Sequence, residues 1–209
     1  HCIYWPTMLM ACKIKLPKTI FAHGWWLMED AKMSKSLGNV IKPLDLADKY
    51  GSDALRYYLM RNMVLGQDAS FQLDRFNKRY NSDLANDYGN LVNRVTMLIT
   101  KFFNGKIPKS GNYDKIDLKL IAEIKNIPQD VKNNIDALKI HDAIEQTFSI
   151  IRKVNAYLEK KSPWKTIKED DSQGGSAATT LALSAEILKI STQLLHPIMP
   201  EKTSMILNI

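Results

Sequence analysis

The spacing of apolar residues changes near residue 43 and divides the chain into a short strand-like part and a long helical part. Ahead of Pro43, residues 19–28 are rich in β-branched and aromatic side chains, and the polar residues 29–31 that follow predict a hairpin or loop tip. After Pro43, apolar residues recur every three to four positions, which predicts amphipathic helices.

Helix stop signals place two short helices directly after this change. Residues 44–50 predict a helix that ends at Gly51, because a glycine after the last turn adopts a positive φ at little cost. The next helix is predicted over 54–62, with the polar cap Ser52-Asp53 ahead of it. The polar residues 65–70 predict a turn.

A long helix is predicted from Asp74 to the turn at Asn104-Gly105. Its apolar stripe consists of Phe76, Tyr80, Leu84, Leu91, Val95, Leu98 and Phe102. Further helical patterns cover 116–138, with a break at Pro128, then 140–161 and 179–195, with a short final turn over 201–207. Such a series of helices predicts an antiparallel bundle.

The fold class predicted from these patterns is mainly α. We expect the last one or two strands of an incomplete α/β domain over 1–40, a linking region over 41–73 and a helix bundle over 74–209. No stretch approaches 18 apolar residues, so no membrane span is expected. Cys2 and Cys12 have no partner at metal-ligand spacing, so we expect no metal site in this chain and a reducing, cytoplasmic setting.

The basic residues are unevenly distributed along the chain. The net charge is +7, and residues 1–140 hold 21 of the 29 basic and 14 of the 22 acidic residues, which accounts for the whole excess. A basic surface confined to one part of a chain suggests a polyanionic partner, although many basic proteins bind no polyanion.

The segment Lys32-Met33-Ser34-Lys35-Ser36 combines two ammonium groups with hydroxyls on a polar loop. A loop of this kind can close over a triphosphate, because each lysine is a compact charge suited to phosphoryl oxygens. The alternative is a solvated, charged turn without a ligand.

This pentapeptide is the signature of the class I aminoacyl-tRNA synthetases, and its context resembles the methionyl-tRNA synthetases. The resemblance covers essentially the whole chain and rests on FAHGWW (21–26), KMSKSLGNVIKPLDLADKYGSDALRYYLMR (32–61), LGQDASF (65–71), NSDLANDYGNLVNR (81–94), SPWK (162–165) and LLHPIMPE (194–201). It implies that the incomplete α/β domain is the end of a Rossmann-type catalytic domain, and that the bundle binds the anticodon.

The resemblance also implies roles in amino-acid activation. Lys35, assisted by Lys32, would stabilise the phosphates of ATP, with Mg²⁺ expected, as methionyl-adenylate forms. His23 would lie near the nucleotide, with a strand histidine satisfied by backbone as the alternative. His1 would line the methionine pocket, and Trp5 would be either a wall of that pocket or, as we favour, part of the core.

Asn86, Asn90 and Arg94 are four residues apart and form one polar stripe on the long helix. Amides and a guanidinium can hydrogen-bond the edges of unpaired bases, although solvation is the usual explanation of such a stripe. The resemblance implies that Asn90 and Arg94 contact the first base of the anticodon, and that the indole of Trp164 stacks on it. A tryptophan filling the edge of the bundle is the alternative for Trp164.

The linking region would contact the inner side of the tRNA. Its basic residues and their neighbours are Lys42, Lys49, Arg56, Arg61, Arg75, Lys78 and Arg79. The expected partners are therefore a methionine tRNA with the anticodon CAU, together with ATP and methionine.

The ATP-holding motif HxGH of the class I enzymes does not occur among the 209 residues. The resemblance therefore implies the C-terminal portion of a methionine–tRNA ligase, which needs the remaining N-terminal catalytic half. The alternative is a tRNA-binding module that is non-catalytic by itself.

Overall fold

The computed structural model describes residues 1–28, 31–32, 41–167 and 172–209. The helices before residue 104 are α1 (Tyr4–Ala11), α2 (Pro43–Tyr50), α3 (Ser52–Asn62), α4 (Leu73–Arg79), a π-helical segment (Tyr80–Gly89) and α5 (Asn90–Phe103). Those after it are α6 (Lys115–Ile124), α7 (Ile127–Asp136), α8 (Ile140–Lys161), α9 (Pro163–Thr166), α10 (Ser176–Leu195) and α11 (Pro200–Leu207). The short strands are β1 (Trp26–Met28), β2 (Ala31–Lys32) and β3 (Ala69–Phe71). The mainly α prediction is confirmed.

Several predicted ends agree with the structure to within a few residues. α2 ends at Gly51, whose φ of 88° is the positive value that favours glycine. The break at Pro128 is confirmed, because this proline lies in the first turn of α7, which is separate from α6. α5 ends at Asn104 in the left-handed conformation, as the Asn104-Gly105 signal predicts.

The strands form one small sheet in the order β2-β1-β3. β1 pairs with β2 in antiparallel fashion, as a hairpin requires, and with β3 in parallel. The prediction of a turn over 65–70 is therefore wrong for its last residues, which enter β3. Gly24 allows this pairing, since a Cβ there would lie 2.0 Å from the carbonyl oxygen of Gln67.

The predicted stripe of the long helix is correct in part, since Phe76 is buried and Tyr80 and Leu84 are half-buried. Leu91 and Val95 are buried, but beyond them the buried side chains are Ile99 and Phe103, whereas Leu98 and Phe102 are half-buried. Leu98 and Phe102 still pack against the core of the bundle, but Ile99 and Phe103 are the residues that it encloses.

The bundle surrounds a continuous apolar core. The buried side chains come from the π-helical segment and from α5, α6, α8 and α10, and include Leu91, Ile151, Leu158, Leu181 and Leu195, each exposed by no more than 1%. A smaller cluster, formed by Ala54, Tyr58, Phe71 and Phe76, joins the linking helices to the sheet.

Helix α3 ties the linking region to the bundle through polar contacts. Arg56 donates hydrogen bonds to the carbonyl oxygens of Pro197 and Ile198, both at 2.9 Å. The buried carboxylate of Asp53 accepts a hydrogen bond from the backbone N–H of Lys202 at 2.7 Å and so caps α11. The linking region is therefore held against the end of the bundle.

Residues 1–25 contribute little to either core. α1, which the sequence pattern did not predict, has no buried residue, and its apolar side chains Tyr4, Met8 and Met10 are exposed. Trp5 is 44% exposed, so our preference for Trp5 as a core residue is wrong within this chain. In the part of the chain that the structure describes, no helix is long and apolar enough to cross a membrane, and no cluster of His, Cys, Asp and Glu is arranged to hold a metal ion.

Candidate nucleic-acid interface

Trp164 lies on the surface of the bundle because the residues on either side of it are anchored. α9 begins at Pro163 and is followed by Ile167, and both are buried. In a helix these two positions share one face, and Trp164 lies about 100° around the helix from Pro163, beside the buried face. Its indole is half-buried and leaves part of the ring open to solvent.

Arg94 lies against this indole. Its guanidinium carbon is 5.1 Å from the centre of the Trp164 ring, which is a cation–π contact. The same guanidinium is 2.8 Å from Oε1 of Glu159 on α8, and the Arg94 side chain is 27% exposed. The sequence places Arg94 and Trp164 seventy residues apart, and the fold brings them together.

The two asparagines of the predicted stripe are exposed. Asn90 begins α5, one helical turn before Arg94, whereas Asn86 lies in the π-helical segment. The structure therefore presents one amide and one guanidinium in succession on the same helix, with the indole beside the guanidinium. The surface formed by Asn90, Arg94, Glu159 and Trp164 is called the indole surface below.

Glu159 is the residue of this surface that sequence reasoning missed. It is an exposed acidic residue near the end of a helix, and nothing in the pattern of α8 connects it to α5. Its carboxylate orients one end of the Arg94 guanidinium and leaves the other N–H groups available as donors. The pair is exposed enough that its effect on stability is small, about 0–1 kcal/mol.

The seven basic residues in or beside the linking region fall into two groups. Three of them have partners within the protein. Arg56 donates to the carbonyl groups described above, Arg61 pairs with Glu145 and Arg79 pairs with Asp83. The remaining four are exposed, and they are Lys42, Lys49, Arg75 and Lys78. These four are the ones that the structure leaves available for phosphates.

The residues predicted to act in methionine activation lie apart from the indole surface or outside the described residues. Lys35 lies outside the described residues, and Lys32 is described only by its backbone in β2. His23 is exposed, and its Nδ1 donates to the carbonyl oxygen of Gly24 at 2.6 Å, since two acceptors would repel each other. His1 is also exposed. The structure does not bring His1 and His23 to the indole surface.

Comparison with known families gives two matches that together cover most of the chain. Residues 1–96 match the family described as tRNA synthetases class I (M). Residues 107–209 match the family described as the anticodon binding domain of methionyl tRNA ligase. Arg94 belongs to the first matched range and Trp164 to the second.

Curated methionine–tRNA ligases match almost the whole chain at about 40% identity. The methionine–tRNA ligase of Caldanaerobacter subterraneus subsp. tengcongensis is 42% identical over 200 residues, which are 96% of this chain and 31% of that protein. The methionine–tRNA ligase of Listeria innocua is 44% identical over 198 residues, which are 94% of this chain and 30% of that protein. The chain therefore spans about a third of the length of these relatives.

Solved structures show the same fold. The structure of Mycobacterium tuberculosis methionyl-tRNA synthetase in complex with methionyl-adenylate superposes with a TM-score of 0.90 at 36% identity. The match covers all of this chain and 41% of the mycobacterial one. The apo form of that enzyme gives a TM-score of 0.84 at 32% identity.

Proposed function

Because this chain belongs to the methionyl-tRNA synthetase family and corresponds to its C-terminal portion, we propose that it is the tRNA-reading part of a methionine–tRNA ligase. We propose the division expected from the sequence: the end of the catalytic domain over 1–40, a stem-contacting linking region over 41–73 and the anticodon-binding bundle over 74–209. The proposed partner is a methionine tRNA with the anticodon CAU, in the cytoplasm.

The contact between Arg94 and Trp164 is the observation that carries this proposal. The guanidinium lies over the indole ring, 5.1 Å from its centre. We propose that a base stacks on the indole and that the arginine side chain moves from the ring to the edge of this base. Cytosine offers the O2 and N3 acceptors, which suit the N–H groups of Arg94, and the amide of Asn90 can both donate and accept. Stacking on an aromatic side chain contributes about 1–3 kcal/mol per base.

The four exposed basic residues in or beside the linking region supply the electrostatic part of binding. If Lys42, Lys49, Arg75 and Lys78 each neutralise one phosphate, the logarithm of the affinity falls with the logarithm of salt concentration with a slope of about −3 to −4. Contacts of this kind orient the RNA without reading its sequence. Specificity is then left to the indole surface.

The complete protein is proposed to join methionine to the AMP part of ATP with release of pyrophosphate, and then to transfer methionine to the tRNA with release of AMP. A bound methionyl-adenylate is present in the mycobacterial relative. In this chain, Lys35 and Lys32 would stabilise the charge that develops on the departing phosphates, His23 would lie near the nucleotide and His1 near the methionine side chain. Mg²⁺ is the expected counterion of ATP. The sequence contains no HxGH motif, which favours a non-catalytic role for these 209 residues by themselves.

Substitutions on the indole surface test the proposed recognition. Trp164→Ala and Arg94→Ala should each weaken binding to an anticodon stem–loop RNA that carries CAU by about 5–150-fold, the equivalent of 1–3 kcal/mol. They should weaken binding much less when the first base is changed, because the lost contacts concern that base. Fluorescence anisotropy with both RNAs measures this difference.

Lys165→Ala is the matched control for these variants. Lys165 is exposed on the same short helix as Trp164, and its substitution removes a positive charge, as Arg94→Ala does. It should weaken binding to both RNAs by the same factor. If Trp164→Ala and Arg94→Ala behave in that way too, these residues only support the fold or contact phosphates, and the proposal is wrong.

A further inference from the structure

Lys161, three residues before Trp164, is a charged side chain that the bundle buries. Its side chain is 6% exposed, and its Nζ is 2.7 Å from Oδ2 of Asp114 and 3.0 Å from Oδ1 of Asp117. The preceding residue, Lys160, is exposed. A buried ammonium group is costly unless it is paired, so the position of Lys161 is set by these two carboxylates.

Both carboxylates lie at the start of α6, Asp114 as its N-cap and Asp117 in its first turn, and hydrogen bonds hold both in place. Asp114 caps this helix, because its Oδ1 accepts hydrogen bonds from the backbone N–H groups of Ile116 and Asp117 at 2.7 and 3.0 Å. The N–H of Asp114 in turn donates to Oδ2 of Asp117 at 2.9 Å. The hydroxyl of Tyr157 donates to Oδ1 of Asp117 at 2.7 Å. The start of α6 is therefore tied to the last turn of α8.

The last turn of α8 determines where Trp164 lies. The helix ends at Lys161, and Ser162 follows with a φ of 43°, in the left-handed region that non-glycine residues rarely adopt. Its N–H donates to the carbonyl oxygen of Leu158 at 2.9 Å, and its hydroxyl donates to that of Glu159 at 2.7 Å. The chain thus turns sharply between the buried ammonium group and the indole, and the surrounding contacts must hold that turn.

We propose that Lys161 is a positioning residue, whose burial between Asp114 and Asp117 fixes the turn that presents Trp164 to the first anticodon base. Lys161 then controls discrimination between bases and has little effect on the affinity that comes from phosphates. The inference rests on the proposed function of Trp164. It is consistent with the charge state of Lys161: burial opposes the charge, but the bonds to Asp114 and Asp117 outweigh that effect and raise the pKa of the ammonium group.

Lys161→Met and Lys160→Met form a matched pair for the test, because each removes one positive charge at the end of α8. Each variant of the full 209-residue chain is titrated with two anticodon stem–loop RNAs, one with CAU and one with GAU. Lys160→Met should weaken both complexes by the same factor. Lys161→Met should in addition lower the ratio of the GAU to the CAU dissociation constant by about fivefold, the equivalent of 1 kcal/mol of stacking. Lys161→Arg, which keeps the charge, should retain more of this ratio than Lys161→Met.

Fluorine NMR of chains labelled with fluorotryptophan reports the position of the indole directly. Trp5, Trp25 and Trp26 serve as internal references, and Trp164→Phe assigns the fourth resonance. Lys161→Met should shift or broaden the Trp164 resonance and leave the references unchanged, whereas Lys160→Met should change none of them. A general loss of structure would alter circular dichroism and every resonance that depends on the fold.

A folded Lys161→Met variant with the wild-type ratio and an unchanged Trp164 resonance would overturn the inference. If this variant does not fold, Tyr157→Phe replaces it, since it removes one hydrogen bond to Asp117 without removing a charge. It should produce a smaller change of the same kind, and no change in either measurement would again overturn the inference. A wild-type chain that binds both RNAs equally would instead overturn the proposed function, and the Trp164 resonance would then decide whether Lys161 positions the indole.

Discussion

The helix bundle and residues 1–25 differ in where their apolar side chains lie. In the bundle, α8 buries nine of its side chains, among them Ile151, Val154 and Leu158, which are essentially inaccessible to solvent. In the first residues, α1 buries none, and Tyr4, Met8 and Phe21 remain exposed. The bundle therefore carries its own core, and residues 1–25 do not.

This difference separates recognition from catalysis. The indole surface is built on helices whose packing is complete within the described residues, so we expect it to work without further parts of the protein. The residues expected to activate methionine, Lys32, Lys35 and the two histidines, belong to or follow the segment with exposed apolar residues. We infer that the chemistry of the proposed ligase needs additional protein surface, whereas anticodon binding does not.

The largest expected effect concerns catalysis. The 209-residue chain should show no methionine-dependent exchange of pyrophosphate into ATP, although it binds the CAU stem–loop RNA. The physical reason is that catalysis needs several groups positioned around the reacting phosphate of ATP, and the sequence contains no HxGH motif to supply the histidines among them. A complete methionyl-tRNA synthetase under the same conditions is the control, and measurable exchange by this chain would contradict the separation.

The next effect concerns stability and compares one residue from each region. Ile151→Ala opens a cavity in the bundle core and should lower the free energy of unfolding by about 2–5 kcal/mol. Met8→Ala, in the exposed helix α1, should change it by no more than about 0.5 kcal/mol. Urea unfolding followed by circular dichroism measures both. Equal destabilisation by the two variants would show that residues 1–25 share the core of the bundle.

The smallest expected effect is the dependence of the bundle's stability on pH. The hydrogen bond from Lys161 and those from the backbone of α6 lower the pKa of Asp114 to about 2, below the value of an unfolded aspartate. The unfolded chain therefore binds this proton first, so the stabilisation by Asp114 is complete above about pH 4 and is lost as the pH falls towards 2. Asp114→Asn should lower the melting temperature at pH 7, and its difference from the wild type should shrink below pH 4.

Asp48→Asn is the control for the acid experiment, because it removes an exposed aspartate from α2. It should change the melting temperature at pH 7 by no more than about 2 °C. A difference between wild type and Asp114→Asn that stays constant from pH 7 to pH 2 would show that Asp114 makes no ionic contribution to the bundle.

The sequence predicted elements whose signals are local. Gly51, Pro128 and Asn104-Gly105 mark helix ends because their backbone preferences hold in any tertiary context. β3 was missed because Ala69–Phe71 becomes a strand only through its parallel pairing with β1, more than forty residues earlier. α1 was missed because its apolar residues lie on all sides and show no helical spacing.

Only the local features of the candidate site could be predicted from the sequence. The spacing of Asn90 and Arg94 is local and predicted that they lie on one helix face. The salt bridge from Arg94 to Glu159 and the burial of Lys161 depend on how α5, α6 and α8 pack. No periodicity within one helix predicts such contacts, since their partners lie on other helices.

The most direct test of anticodon recognition is the ratio of two dissociation constants measured with the wild-type chain. Anticodon stem–loop RNAs that carry CAU and GAU differ only in the base proposed to contact Trp164 and Arg94. We expect the CAU complex to be tighter by about tenfold or more, since specific contacts to one base are worth about 1–3 kcal/mol. Equal dissociation constants for the two RNAs would contradict the proposed recognition of the first anticodon base.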